Sequence, residues 1–304
     1  EIHQKYGGVV PEIASRKHIE MIDIIISEAL LKANTSSEEV NLVAVTNRPG
    51  LLGSLLVGVG AAKAFSYYNE IPIIAVNHLK AHIFANILAG SQINPEMPDK
   101  YISLIVSGGH SSLYIVDENL NIKEIGHTVD DAAGEAFDKA ARFLNLGYPG
   151  GPVIDIISKN ANSHFIEFTR PMIESGDFNF SFSGIKTALI YRIKKYPYLM
   201  QEKYIPDIAA SFQAAVVDVL VQKTVRACKK FKISKILVSG GVAANSKLRQ
   251  EFMIAGEKQG IRIYIPPVNL CMDNAAMVAG LGYFEFKKGK LSGFDIDVYS
   301  RSDF

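Results

Sequence analysis

Cysteine is scarce: Cys228 and Cys271 are the only two in 304 residues. Two thiols cannot build a disulfide framework and have no zinc-ribbon spacing, so a reducing compartment is expected, the cytoplasm or, for an organellar protein, the mitochondrial matrix. An excess of one charge is also lacking, with 32 Lys and Arg against 31 Asp and Glu and a net charge of +1. No global basic field announces a polyanion, so any nucleic-acid surface has to be local. No apolar run reaches the roughly 18 residues of a membrane span, and no membrane partner is expected. There is no signal-peptide core, low-complexity tract or internal repeat at the level of identity. Residue 1 is Glu and the chain opens in a polar segment, so an absent upstream piece is expected.

What is present is globular composition, 48% hydrophobic and 21% charged, at a length that favours two domains of about 150 residues. Residues 11–33 have the three- and four-residue apolar spacing of an amphipathic helix. Strands at 41–46 and 71–76 alternate with helices at 48–69 and 78–88, the order of βαβ units on a parallel sheet. From residue 101 the pattern becomes an antiparallel meander of three strands joined by GGH and ENLN turns. Residues 131–203 are helical and loop-like, with alternating Phe178, Phe180 and Phe182 the one strand-like stretch. A helix over 205–231, strand KILVSGG, a helix from Ala243, strand IRIYIPP and a last helix from Asp273 follow. Meander plus αβαβα is the order of a ribonuclease-H-like unit, and two such units make the actin-like ATPase fold. The expected domains are 1–98, with 290–304 as its candidate completion, and 99–289, carrying a helical insertion around 131–203.

His78 and His82 lie four apart in HLKAH, so both imidazoles project from one helix face and can converge on one ion. For an isolated HxxxH, two solvent-facing or core histidines are the commoner explanation of the pair. HExxH metalloprotease chemistry does not fit, because no glutamate lies between them to act as base. Asp273, at the start of the last helix, is a candidate third ligand, although a helix N-cap is the commoner role of an Asp there. In SGGH, Gly108 and Gly109 free the backbone to aim amides at an anion, although an ordinary hairpin turn has the same composition. A second SGG turn at Gly240 and Gly241 runs into a helix with Asn245 in its first turn, which offers free N–H groups to a phosphate. Neither turn has the GK[ST] ending of a Walker loop. Asp138 and Asp155 can face one site if the YPGG loop folds the chain back, and carboxylates so placed accept from ribose hydroxyls. Glu135 and Lys139 read as an i,i+4 ion pair. Arg192, Lys194 and Lys195 beside Tyr191, Tyr196 and Tyr198, and the group Arg226, Lys229, Lys230, Lys232 and Lys235, are candidate RNA-tracking patches or solvated helix faces. Cys228 reads as packing.

Eight motifs in order, YGGVVPEIASRKH at 6–18, NRPGLLGSLLVG at 47–58, HLKAH at 78–82, SGGHS at 107–111, GEAFDKAARFLNLGYPGGPVID at 134–155, FSFSGIKTA at 180–188, SGGVAAN at 239–245 and CMDNAAM at 271–277, resemble one family. It is the universal tRNA threonylcarbamoyladenosine transferases, formerly labelled O-sialoglycoprotein endopeptidases. The resemblance implies a two-lobe actin-like ATPase fold and transfer of threonylcarbamoyl from threonylcarbamoyl-AMP to N6 of adenosine 37 in tRNAs reading ANN codons. It places one divalent metal, iron or zinc, on His78, His82 and Asp273, and substrate contacts on Val106, Ser107, Gly108, Gly109, His110, Asp138, Gly151, Asp155 and Asn245, with His110 as the catalytic candidate. A nucleotide such as ATP is a further expected ligand. An inactive paralogous subunit and a small ATPase are the expected protein partners, with the small-residue helix 54–64 a candidate pairing surface or simply a sheet-packing helix. The family opens with a strand-turn-strand of the form GIETSCD, which this chain lacks, so the first hairpin is expected to be missing. The ending DVYSRSDF also lacks the basic tail of bacterial members. Rival readings are a metal-dependent endopeptidase, a small-molecule kinase of the same superfold holding magnesium through carboxylates, and an inactive truncated or scaffold member.

Overall fold

The structure is a computed structural model that describes residues 10–88 and 99–301. Pro11, pre-set for a first helical position, opens α1 (Pro11–Ala33), and Asn34 closes it in the left-handed region at φ 50°. β1 (Val43–Arg48), α2 (Leu52–Tyr68) and β2 (Ile73–Asn77) form a right-sized βαβ unit, with the strands parallel in the register Val43 to Ile73. Added carbon at Gly53 would come within 3.0 Å of Ser15 Cβ, so α1 and α2 approach closely there. α3 (His78–Leu88) follows β2 directly, and Asn77 caps it by accepting from the Leu79 and Lys80 N–H groups at 2.9 and 3.2 Å.

β3 (Lys100–Val106), β4 (Ser111–Asp117) and β5 (Ile122–His127) form the expected meander. α4 (Ala133–Phe143), α5 (Gly150–Ser158) and α6 (Ser183–Lys195) make up the helical segment, and α7 (Ile205–Phe231) runs through the core. The stretch Glu202–Phe231 is long and apolar enough to cross a membrane, but 72% of its apolar window is buried inside the fold, as a core helix requires. β6 (Lys235–Ser239) pairs in parallel with β3, α8 (Ser246–Gln259) and β7 (Arg262–Tyr264) follow, and the sheet order is β5-β4-β3-β6-β7. α9 (Val268–Cys271) is one short turn, and α10 (Ala275–Lys287) is the last helix.

Two compact units result, one holding the described residues up to Leu88 with those from Asn274 onward, the other the described residues from Asp99 to Asp273. The expected boundary at Pro98 lies outside the described residues, as do Tyr6 to Val9 of the first motif. Residues 274–289, expected in the second domain, group with the first. Two glycines explain this: a Cβ at Gly280 would press on Phe84 and Leu88 of α3 at 3.0 Å, and one at Gly282 on Ala44 of β1 at 2.5 Å. Small residues let α10 sit against that sheet and helix, and Phe84 and Phe284 add a ring contact at 5.5 Å. Ser292 then bonds along β2, its N–H to the Ile73 carbonyl and its hydroxyl to the Ala75 N–H, both at 3.0 Å.

Three local expectations shift. The helix expected from Ala243 begins at Ser246, because a 3-10 turn (Gly241–Ala244) comes first and Asn245 is the cap. Asn274, not Asp273, caps α10 by accepting from the Met277 N–H at 2.9 Å. The alternating phenylalanines form no strand: Phe180 touches the end of the meander through its N–H to the His127 carbonyl and its carbonyl to the Val129 N–H, both 2.9 Å, and all three rings are buried.

Candidate metal centre and anion-binding turns

The cap at Asn77 makes His78 the first and His82 the fifth residue of α3, one turn apart on one face. Their rings lie 4.6 Å apart at 71°, His82 buried and His78 half-buried. Asp273, exposed, immediately precedes the Asn274 cap, so α10 and its packing on α3 set where it lies. The donor atoms of His78, His82 and Asp273 all fall within 4.8 Å of one another. Ligands on a tetrahedral ion with bonds of about 2.0–2.1 Å are about 3.4 Å apart, so modest side-chain rotation closes this set. Two imidazoles and a carboxylate suit zinc or iron, and three protein ligands leave positions open to a substrate.

In the second unit, β3 and β6 run side by side in parallel, Ile105 opposite Ser239, so both SGG turns emerge from neighbouring carboxyl ends. The chain leaves β3 toward β4 and leaves β6 toward β7, on opposite sides, which makes this a switch point where parallel sheets commonly receive ligands. Gly240, at φ 91°, sits where an added carbon would meet the Val106 carbonyl at 2.3 Å, so only glycine lets the second turn pass the first. The first turn is self-braced: the Ser107 N–H donates to the His110 carbonyl at 2.8 Å, and the His110 N–H donates to Ser107 Oγ at 3.1 Å. Gly108, Gly109 and His110 are exposed, and the Cβ sides of both glycines face open space. The start of α4 butts against this turn, with the Gly134 N–H 3.2 Å from the Ser107 carbonyl.

Asp138 and Asp155 each meet a helix start rather than each other. Asp138 accepts the Gly150 N–H at 2.7 Å at the head of α5. Burial pushes its carboxyl above the ordinary value, against the lowering pull of the Gly150 and Gly151 amides and Arg142. Asp155 accepts the Ser246 hydroxyl at 2.7 Å and the Ser246 N–H at 3.1 Å, which ties α5 to α8. Asn245 is buried, accepting from the Leu248 N–H at 2.9 Å and donating to Gln213 at 2.7 Å. Gly151 has open space beside its Cα.

Asp130 and Asp131 are the residues the sequence left unassigned. Asp130 accepts the Ser181 and Ser183 hydroxyls, each at 2.6 Å, and the Phe182 N–H at 2.8 Å. Burial raises its carboxyl, but these bonds outweigh it and hold the group below its ordinary value. Asp131 bridges Lys139 and Lys186 at 2.7 and 2.8 Å, and Lys139 also makes the expected pair with Glu135 at 2.8 Å. FSFSGIKTA thus owes its serines and lysine to two aspartates about fifty positions earlier.

This sheet order and turn arrangement define a protein of the actin-like ATPase fold. Solved structures with that architecture match it: full-length HypF in a phosphate- and nucleotide-bound form, with TM-score 0.58 and 15% identity over 87% of this chain and 40% of HypF. The activator of 2-hydroxyisocaproyl-CoA dehydratase from Clostridium difficile with bound ADPNP has TM-score 0.51 and 16% identity over 89% of this chain and 85% of that one. Residues 1–280 match the TsaD family, tRNA N6-adenosine threonylcarbamoyltransferase. The enzymes of that name from Thermosipho africanus and Kosmotoga olearia are 48% and 47% identical, over 95% and 98% of this chain and 86% and 87% of theirs. The chain belongs to the tRNA N6-adenosine threonylcarbamoyltransferase family.

Proposed function

We propose that this protein transfers the threonylcarbamoyl group of threonylcarbamoyl-AMP to N6 of adenosine 37 in tRNAs reading ANN codons. The observation that carries this reading is near-full-length identity of 46–48% with relatives bearing that enzyme name. N6 of adenine is a weak nucleophile, its lone pair delocalised into the ring, whereas the adenylate is a mixed anhydride with a good leaving group. Positioning and charge stabilisation therefore dominate over a strong base. N6 bonds to the carbamoyl carbon, the carbon–oxygen bond to phosphate breaks with its electron pair leaving on AMP, and N6 gives up a proton.

The exposed Gly108 and Gly109 amides cradle the anionic phosphate, and His110 at the same turn takes or relays the proton. Asp138, Gly151 and Asp155 orient the nucleotide at the heads of α5 and α8, and Asn245 holds the α8 head in place. His78, His82 and Asp273 hold a divalent iron or zinc ion, which when bound supplies Lewis-acid stabilisation of developing oxygen charge. A cytoplasmic location and assembly with an inactive paralogue and a small ATPase complete the reading.

Asp273→Ala is the direct test, because its carboxylate is exposed and the helix cap belongs to Asn274. Bound metal, measured by elemental analysis, and threonylcarbamoyladenosine formation are expected to fall together. Full activity from a metal-free protein contradicts the assignment.

A further inference from the structure

Residues 191–204 carry four cations, Arg192, Lys194, Lys195 and Lys203, against one acid, Glu202, in a chain of net charge +1. α6 turns Ile185, Leu189 and Ile193 inward at four-residue spacing, which leaves Tyr191, Arg192, Lys194 and Lys195 on the solvent side. The short 3-10 turns Pro197–Met200 and Glu202–Tyr204 bury Leu199 and keep Tyr198 and Lys203 exposed. A basic last helical turn is ordinary dipole compensation. That does not account for Tyr191 and Tyr198, which are 67% and 54% exposed.

Tyr196, Tyr198 and Tyr204 are held by ring contacts. Tyr204 stacks on Phe165 at 5.6 Å, Tyr198 packs edge-on to Tyr204 at 6.0 Å, and Tyr196 to Tyr198 at 6.1 Å. Lys195 and Arg192 lie over the Tyr196 ring, and Lys203 over Tyr204 at 4.7 Å. Among the described residues, no carboxylate pairs with any of the four cations. The other basic cluster differs: Arg226 lies 3.9 Å from Glu174, and Lys230 covers the buried Phe178 ring.

We infer that this face of α6 and the turns after it is an RNA-contact surface, on which the four cations meet phosphates and Tyr191 and Tyr198 stack on unpaired bases. The inference rests on the tRNA-modifying reading above and states which surface of the second unit holds the RNA. Cations without a carboxylate partner, interleaved with exposed rings, are the chemistry that binds looped RNA.

The test is fluorescence anisotropy of a labelled tRNA transcript bearing A37, titrated with the full chain across a potassium chloride series. Arg192→Gln, Lys194→Gln, Lys195→Gln and Lys203→Gln combined are expected to lower the log–log salt slope by about 3 to 4, at about 0.7–0.9 per phosphate contact. Tyr191→Ala with Tyr198→Ala weakens binding by about 30-fold or more, at about 1–3 kcal/mol per stacked base, and leaves the slope in place. Exchanging Arg and Lys at the four positions retains binding, and Lys229→Gln, Lys230→Gln and Lys232→Gln combined leave it unchanged. If the wild type binds tRNA and the fourfold Gln variant binds with the same affinity and slope, the surface is wrong while the functional reading stands. Preference of this face for polyglutamate over tRNA overturns the RNA assignment, and a wild type that binds no tRNA brings down the functional reading too.

Discussion

Gly134→Ala and Gly108→Ala separate the packing of the first turn from its ligand role. At Gly134 the added carbon would lie 2.6 Å from the Ser107 carbonyl oxygen and 2.8 Å from Gly108 Cα. Ordinary contact begins at 3.4 Å, so turn and helix must part by about 0.8 Å, and the 3.2 Å bond from the Gly134 N–H to the Ser107 carbonyl is lost. Overpacking of this kind costs about 1–3 kcal/mol, and alanine in a helix returns about 0.5–1 kcal/mol. A net loss of about 1–2 kcal/mol lowers the melting temperature by a few degrees, about 2–4 °C per kcal/mol at this size. At Gly108 the same carbon meets nothing within 4 Å, so stability stays within about 0.5 kcal/mol. That carbon occupies the space where a phosphate would sit, so KM for the adenylate rises. Calorimetry and initial rates of transfer read both arms. Unchanged stability in Gly134→Ala refutes the packing account, and unchanged kinetics in Gly108→Ala refute the anion cradle.

Other consequences are separate. Asp130 has its carboxyl held low by Ser181, Ser183 and Phe182 against the effect of burial, so its contribution is present above the ordinary carboxyl value near 3.9 and disappears as pH falls through the lower native value. The difference in unfolding free energy between wild type and Asp130→Asn should therefore narrow on acidification, and a pH-independent difference in urea titrations contradicts it. Lys223, with a fully buried side chain on α7, donates to Ser175, Asp177 and the Asn179 carbonyl. Lys223→Met leaves these acceptors unmatched and should cost about 2–3 kcal/mol. A variant as stable as wild type in denaturant unfolding shows that the loop does not depend on this lysine.

Local patterns were legible where one element sufficed. The four-residue spacing of His78 and His82 needs only a helix, and the meander shows in its alternation and turns. Neither pattern reveals which unit α10 joins, because that depends on two missing side chains, Gly280 and Gly282, meeting α3 and β1. The serines of FSFSG stand out as a motif, but their partner Asp130 lies 51 and 53 positions away and carries no periodic signal. Asp138 and Asp155 are legible as carboxylates on either side of the YPGG loop and Asn245 as a residue just after the second SGG turn, whereas their attachments to helix starts depend on how α4, α5, α7 and α8 come together. For Asp273 the sequence offers a cap as readily as a ligand, and the cap reading fails by one residue of register: the next position, Asn274, makes the cap bond.

The central claim is tested most directly by supplying the protein with synthetic threonylcarbamoyl-AMP, an unmodified tRNA transcript bearing A37 and its partner proteins, then analysing the digested nucleosides by mass spectrometry. Threonylcarbamoyladenosine at position 37, dependent on this protein and reduced by Asp273→Ala, is the predicted result. Unmodified A37 from a folded, metal-loaded protein that binds the tRNA would contradict the account.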